Sequence, residues 1–389
     1  MKQTLIHLII IGTFSYSCSS KFHDGPQSLS VNLAEQDEVS IFDIFESVEI
    51  VALETSDQSL VAGISKVIHF DSRYYILDQK QQRIACFDSA GKFLFKISQR
   101  GQGPEEYLFL GDFNIDPYTN QLLLVEPFGS LLLFDLEGRF ISKIRLPGEI
   151  NAYNRVYPLD ENRLVFSSLF NYELVFYDRK KNIIVDRRYG VEDMKLRETP
   201  FEPKQAYRYN GDLFFPFSPS NDVINLSDNT IFSWNFGKLT NTEETIGRLK
   251  DFILHSKTGF RALPPYHEYD WVGEKKLNNI VRRCFESSRY KIYILSCGRG
   301  CLKHIFYDKK AKKSLVFDKT KEGIFFRMPD FFGESMLMYD RGLKKDGNLD
   351  LEMSFFYYHP NTFTEEQLRL YESRKIDDNP FLVIYNFRQ

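Results

Sequence analysis

The polar loop at residues 100–107 is the densest group of side chains in this sequence that could bind a ligand. It reads Arg-Gly-Gln-Gly-Pro-Glu-Glu-Tyr, and its glycines permit backbone shapes that other residues resist. We predict a ligand-binding loop formed by Arg100, Gln102, Glu105, Glu106 and Tyr107, because this mixture suits a polar ligand. The alternative is a structural turn, since loops carry function often but not by default. The Gly-x-Gly of this loop does not open a helix, which excludes a dinucleotide fingerprint.

The cysteines limit the redox and metal chemistry of the chain. Cys297 and Cys301 flank a Gly-Arg-Gly turn, so they face each other across a predicted hairpin and could form a disulfide in an exported protein. Reduced thiols are the alternative, and Cys86 and Cys284 lie in strand patterns that favour burial. One Cys-x-x-x-Cys pair falls short of the four ligands of a structural zinc site. We therefore predict no metal and no cofactor.

Catalytic groups at a recognisable spacing are scarce. The seven histidines are scattered, and the sequence has no Gly-x-Ser-x-Gly elbow. Acids at predicted strand ends, such as Asp78, Glu126 and Asp160, could serve a hydrolase or lyase acting on a carbohydrate. Asp at a strand end more often shapes the turn by bonding its own backbone. We expect a non-enzymatic binding module for a glycan, peptide or protein, with the carbohydrate enzyme and a structural or assembly role as alternatives.

Composition excludes some classes of partner. The chain has 389 residues, a net charge of −3 and 43% hydrophobic residues, which favours a folded protein over a disordered one. No basic block stands out, so nucleic acid is not an expected partner. Phe occurs 36 times and Tyr 22 times, and aromatic side chains favour strands. We expect a monomer with most of these rings in its core.

A recurring phrase predicts the elements that position these groups. Phe-Asp-Ser-Ala-Gly-Lys-Phe at 87–93 returns as Phe-Asp-Leu-Glu-Gly-Arg-Phe at 134–140, with looser copies at 176–178 and 306–308. Repeats of this spacing, made of short apolar runs and tight turns, are typical of β-propeller blades. Four strands can be assigned in each of five copies, which lie at 64–98, 112–146, 153–189, 206–236 and 280–318.

The last blade must be assembled from both ends of the chain. Residues 336–340 fit a second strand and 381–386 a third, but no fourth strand follows. The unused strand lies at 47–53, and its pattern matches the fourth position. We therefore predict an all-β, six-bladed β-propeller over 41–389, closed by pairing of the N-terminal and C-terminal strands, which removes two exposed sheet edges. Two short helical insertions are predicted, at 240–258 and 362–374.

The start of the chain predicts export. Lys2 precedes an apolar run at 5–14 that is too short to span a bilayer, and small residues lead from it to Cys18. This is the layout of a secretory signal peptide over 1–17. The polar residues 18–40 favour a tether between this segment and the propeller.

Several of these segments together carry a family resemblance. They are Ser-Tyr-Ser-Cys at 15–18, Val-Glu-Ile-Val-Ala-Leu-Glu-Thr at 48–55, the blade phrases, the loop at 101–107 and Asn-Pro-Phe-Leu-Val-Ile-Tyr at 379–385. With them the chain resembles the six-bladed β-propeller lipoproteins of Bacteroidetes, which are NHL-like in shape. The resemblance implies that Cys18 becomes the first mature residue and carries acyl chains that anchor the protein to the membrane. It implies an outer-membrane lipoprotein of the cell envelope, facing the periplasm or the surface, and it names no ligand.

Overall fold

Six antiparallel sheets form the fold of this chain in the computed structural model. Each sheet has four strands, and one of them gains a fifth strand at its edge. The structure describes residues 27–148, 153–168, 173–188, 205–217, 220–248, 277–298, 301–326, 329–339, 362–375 and 377–389.

The strands follow one another in the blade order that the repeats predict. In chain order they are β1 (Gln27–Ser30), β2 (Phe45–Ala52), β3 (Ile64–Phe70), β4 (Arg73–Asp78), β5 (Arg83–Asp88), β6 (Phe93–Ile97), β7 (Asp112–Asp116), β8 (Gln121–Glu126), β9 (Ser130–Asp135), β10 (Phe140–Arg145), β11 (Tyr153–Pro158), β12 (Arg163–Ser168), β13 (Leu174–Asp178), β14 (Ile183–Arg188), β15 (Tyr207–Tyr209), β16 (Asp212–Phe217), β17 (Asp222–Asn225), β18 (Ile231–Asn235), β19 (Ile280–Glu286), β20 (Tyr290–Gly298), β21 (Cys301–Asp308), β22 (Lys313–Phe317), β23 (Asp330–Phe332), β24 (Ser335–Tyr339) and β25 (Phe381–Phe387). The five blades from β3 to β22 are local meanders, and the sixth has the order β2-β25-β24-β23. The prediction of a six-bladed propeller is confirmed.

The repeated phrase encodes the turn between the third and fourth strands. The carboxylate of Asp88 accepts hydrogen bonds from the backbone N–H groups of Ala90 and Lys92, at 2.9 and 2.8 Å. Asp135 does the same one blade later. Gly91 adopts φ +81°, and a Cβ there would lie 2.1 Å from the carbonyl oxygen of Ala52. Because only glycine tolerates both conditions, the phrase recurs wherever this turn does.

The core lies between blades rather than within one. One cluster joins Tyr75 and Ile84 of the first blade to Phe113 and Leu122 of the second, and all four side chains are almost fully buried. Similar clusters fill the other junctions. First strands of neighbouring blades also lie beside each other, as β3 does with β7 and β23 with β3, so the first strands surround the axis and the fourth strands lie at the outer edge.

The ring closes by pairing the two ends of the propeller. β2 runs antiparallel to β25, with Val48 opposite Tyr385 and Val51 opposite Leu382. This confirms the predicted closure. The first strand of that blade, β23, is only three residues long, and the sequence analysis did not identify it. Because one blade contains strands from both chain ends, closure depends on contacts that are distant in sequence.

The segment before β2 corrects the predicted tether. β1 adds a parallel fifth strand to β18, and Val31, Leu33 and Val39 are 6%, 4% and 2% exposed. Residues 27–40 therefore pack along the outer edge of the fourth and fifth blades, so this part of the predicted tether over 18–40 belongs to the folded propeller. We call residues 27–40 the strap. A short helix at Ile41–Ile44 then leads from the strap into β2.

Helices contribute little to the described structure. The predicted insertion at 362–374 contains the helix Glu365–Glu372, which Thr364 and Gln367 cap reciprocally. Of the insertion at 240–258, residues 243–248 are helical, and residues 249–258 lie outside the described residues. Within the described part of the chain, no helix is long and apolar enough to cross a membrane.

Candidate functional site

The first strands of all six blades enclose a cavity of about 280 Å³ on the axis of the ring. Its lining includes the ends of these strands and the turns that follow them, from Phe70 and Pro117 to Phe332 and Gly333. The cavity therefore belongs to the face where the first strands end. We call this the exit face, and the opposite side the entry face. The volume lies just below the range for small-ligand pockets, roughly 300–1,000 Å³.

A buried ion pair lies on one wall of this cavity. The ammonium group of Lys66 lies 3.0 Å from a carboxylate oxygen of Asp112 and donates a second bond, of 2.6 Å, to the carbonyl oxygen of Phe113. Lys66 is 6% exposed and Asp112 is 4% exposed. The pair joins the first two blades, since Lys66 lies on β3 and Asp112 on β7.

Arg283 of the fifth blade and Asp330 of the sixth blade are two further charged residues of the cavity. Arg283 donates to the carbonyl oxygens of Pro329 and Arg282, both at 3.0 Å, and burial lowers the pKa of its guanidinium. Asp330 accepts a 3.0 Å hydrogen bond from the backbone N–H of Val67. Burial raises the pKa of the Asp330 carboxyl, against the opposing influence of Arg283. Both side chains line the cavity.

Half-buried rings surround the charged groups and form what we call the aromatic rim: His69, Phe70, Tyr207, Phe331 and Phe332. The ring centroids of His69 and Phe332 are 4.5 Å apart. Phe331 stacks on the buried Phe285 at 4.4 Å with an interplanar angle of 8°. Burial lowers the pKa of His69, which favours its neutral form. The rim offers flat apolar faces next to a polar interior.

The predicted ligand loop lies at the entry face, because it connects the fourth strand of one blade to the first strand of the next. Arg100, Gln102 and Glu105 are exposed there. Glu106 instead accepts a 2.7 Å bond from the backbone N–H of Gly103, which holds the loop in shape. Tyr107 is fully buried and donates to the carbonyl oxygen of Gln82 at 2.6 Å. Ligand binding by this loop stays a prediction. The loop lies at the opposite end of the ring from the aromatic rim of the cavity.

The four described cysteines are free thiols in this structure, and the Cys297–Cys301 disulfide stays a prediction. Cys297 and Cys301 are neighbouring free thiols at the end of the β20–β21 hairpin, and Cys86 and Cys284 are buried free thiols. Burial, followed by the proximity of Cys301, raises the pKa of Cys297 to about 12. Such a thiol is a poor nucleophile near neutral pH. Among the described residues, no group of three or more His, Cys, Asp or Glu side chains could hold a metal ion.

The strand-end acids serve turns and loops. Asp78 is fully buried and accepts hydrogen bonds from the N–H groups of Ala62 and Gln81. Asp160 accepts bonds from the N–H groups of Asn162 and Arg163. Among the described residues that line the cavity, Asp330 is the one acid. The geometry therefore supplies no pair of facing carboxylates in that cavity.

Sequence reasoning missed the cavity residues, although a signal was present. Several first strands carry a charged residue next to apolar ones. Examples are Lys66, Asp112, Arg283 and Asp330. A charge in a strand that lines the axis needs a partner or a ligand, whereas the repeated turn residues lie away from the axis and give no sign of the cavity.

The chain belongs to the family described as "Domain of unknown function (DUF4934)", whose model matches residues 28–386. This match begins inside the strap and ends in β25, so it covers the whole ring. Among curated proteins, none matches this sequence.

Several solved structures that are similar to this chain come from Bacteroides. The chain is similar to a putative exported protein from Bacteroides fragilis NCTC 9343, with a TM-score of 0.70 and 17% identity over 93% of this chain and 100% of that one. A member of the DUF4221 family from Bacteroides vulgatus gives a TM-score of 0.48 at 11% identity, over 91% and 99% of the two chains. The extracellular domain of a putative hybrid two-component system from B. thetaiotaomicron gives 0.42 at 13% identity, over 72% of this chain and 33% of that one. At these identities the first likeness shows the fold.

Proposed function

We propose that this protein is a non-enzymatic binding module of the cell envelope, whose ligand enters the axial cavity from the exit face. The ligand is a glycan, a peptide or a protein segment, and the cavity favours the end of a glycan. Its aromatic rim and charged interior carry this proposal. Ligand sites are commonly concave, mostly apolar and provided with a few placed polar groups.

The enclosed shape favours a narrow ligand over a broad protein surface. The exit-face opening is bounded by six turns of the propeller, all of which lie within the described residues. Sugar rings present flat CH faces that suit the sides of His69 and Phe332, while their hydroxyls suit Lys66 and Asp330. With one acid on the described cavity lining, binding is supported better than the two-carboxylate chemistry of a glycosidase.

A panel of neutral and charged oligosaccharides, displayed as an array with a parallel array of peptides, tests this proposal. Phe332→Ala is expected to reduce glycan capture by at least about tenfold, since aromatic side chains dominate contact energies. Phe128→Ala is the matched control, because Phe128 is 75% exposed in a turn on the entry face. Capture of peptides alone, or equal effects of the two substitutions, would contradict the glycan assignment.

Anchoring at Cys18 is the second part of the proposal. It is supported by the signal-like sequence before Cys18, and the fold neighbour from B. fragilis is itself described as a putative exported protein. Cys18→Ser should leave the precursor uncleaved or release the protein from the membrane fraction, because one acylated residue supplies the anchor. Unchanged processing and membrane retention would contradict it.

A further inference from the structure

Two arginines on the cavity lining, Arg283 and Arg208, form no salt bridge with an acid of the described residues, although Asp330 acts on Arg283 from a longer distance. Arg283 donates to the carbonyl oxygens of Pro329 and Arg282. Arg208, the middle residue of β15, donates to the carbonyl oxygens of Pro158 and Gly211 and to the hydroxyl of Tyr118. Within the described residues, neither guanidinium lies within 4.0 Å of a carboxylate. Both are therefore held in place by neutral groups while their charge stays uncompensated at short range.

The other charged residues of the lining do not neutralise the positive charges of Arg208 and Arg283. Lys66 is neutralised by Asp112 at 3.0 Å. That leaves Asp330 as the described acid on the lining to set against Arg208 and Arg283. Arg283 and Arg208 are partly exposed, and a positive charge that has lost part of its hydration without a salt-bridge partner is still costly. The cavity is thus built with an excess of positive charge on its described walls.

We propose that the ligand of this cavity is an anionic sugar, whose carboxylate or sulfate group is bound by Arg283 and approached by Arg208. This inference rests on the proposed function and narrows its ligand class. The planar guanidinium matches the oxygens of such a group, and a charge-assisted pair gains strength in a site that excludes water. The rings of His69 and Phe332 would cover the face of the sugar while its acid group reaches Arg283.

The site also explains why a neutral sugar is a poorer ligand. A neutral hydroxyl can accept a bond from Arg283 but leaves the positive charge unpaired. An acidic group satisfies both the hydrogen-bonding capacity and the charge. We therefore expect the acidic form of a given oligosaccharide to bind at least about tenfold more tightly than its neutral counterpart, which corresponds to roughly 1.4 kcal/mol.

Titration calorimetry on the full mature protein tests this with matched probes. The probes are a galacturonate trisaccharide and its carboxyl-reduced form, and a sulfated galactose oligosaccharide and its desulfated form. A preference for one acidic probe over its neutral partner supports the inference, and the arm that shows it distinguishes carboxylate from sulfate. Equal affinities within both pairs would overturn it while leaving the proposed glycan function intact. If none of the four probes binds, this inference fails. The oligosaccharide and peptide arrays described above then test the proposed function separately.

Variants test the assigned residues. Arg283→Gln should abolish the acidic preference, and Arg283→Lys should keep part of it because the charge remains but the planar fork is lost. Arg208→Gln should weaken binding less, since Arg208 is at the half-exposed mouth. Arg369→Gln, on the exposed face of the helix Glu365–Glu372, is the control. Retention of the full preference in both folded Gln variants would overturn the assignment, and Arg208→Gln gives an independent answer if Arg283→Gln fails to fold.

Discussion

Asp37 and Val316 exchange two hydrogen bonds across 279 positions of sequence. The N–H of Asp37 donates to the carbonyl oxygen of Val316 at 2.7 Å, and the N–H of Val316 donates back to the Asp37 carboxylate at 2.8 Å. Val316 lies on β22, the outer strand of the fifth blade. The strap therefore covers part of an edge that would otherwise expose unpaired backbone groups.

The first prediction concerns the strap. Deleting residues 19–26 should leave the melting temperature unchanged, whereas deleting 19–40 should lower it by several degrees, because buried Val31, Leu33 and Val39 lose their packing. Asp37→Ala should cost about 1–2 kcal/mol, since it removes an acceptor from the N–H of Val316. Thermal unfolding of the three variants measures this. Equal stability of the two deletions would show that the strap contributes nothing.

The second prediction concerns Asn379, which ties the end of the chain to the segment before the first blade. Its side chain accepts a 2.7 Å bond from the N–H of Val61 and donates to the carbonyl oxygens of Glu54 and Ser59. Asn379→Ala should destabilise the protein by about 2–4 kcal/mol, because it leaves buried polar groups unpaired.

Asn379→Asp separates hydrogen bonding from side-chain volume at the same site. A carboxylate there would face two carbonyl oxygens, so this variant should be less stable at pH 7 than at pH 5. Urea unfolding at both values measures the difference. A pH-independent loss equal to that of Asn379→Ala would argue against the assigned amide orientation.

The third prediction is a pH dependence of stability caused by His304. This ring is fully buried, donates from Nδ1 to the carbonyl oxygen of Phe317 at 3.1 Å and accepts from the N–H of Phe326 at 2.9 Å. Burial lowers its pKa from 6.5 to about 4. The unfolded chain therefore binds a proton between these values while the folded protein does not, so stability falls as pH decreases through this window, by about 3 kcal/mol in total.

Urea unfolding of the wild type and His304→Gln at pH 7 and pH 4.5 checks this dependence. The variant cannot titrate at position 304, so its loss of stability over the same interval should be smaller. Parallel pH profiles for the two proteins would assign the acid sensitivity to other groups.

The fourth prediction concerns the buried pair Lys66–Asp112. Lys66→Met should cost about 3–5 kcal/mol, because it leaves the Asp112 carboxylate buried without its cation. The double variant Lys66→Met with Asp112→Leu should be more stable than the sum of the single changes indicates, since no charge is then left unpaired. A double-mutant cycle from urea unfolding gives the coupling energy. Additive effects would show that the two groups do not stabilise each other.

The sequence by itself determined the architecture of this protein. Gly91 and Gly138 occur at a fixed distance after Asp88 and Asp135, and that local turn chemistry repeats with every blade that keeps it. The last blade lacks a strand in the fourth position at the end of the chain, and one unassigned strand lies near the start of the chain. The pairing of Val48 with Tyr385 could therefore be predicted without coordinates, because strand number and edge exposure constrain a closed ring.

Tertiary structure alone decided where the cavity lies and what the strap does. Lys66, Arg283 and Asp330 come from three blades, and no local pattern brings residues 264 positions apart into one cavity. The same holds for Val31 and Leu33, which look like parts of a polar tether until the edges of the fourth and fifth blades are placed beside them. Turns are governed by a few adjacent residues, whereas a site on the axis is governed by how six blades close, and only the folded ring contains that information.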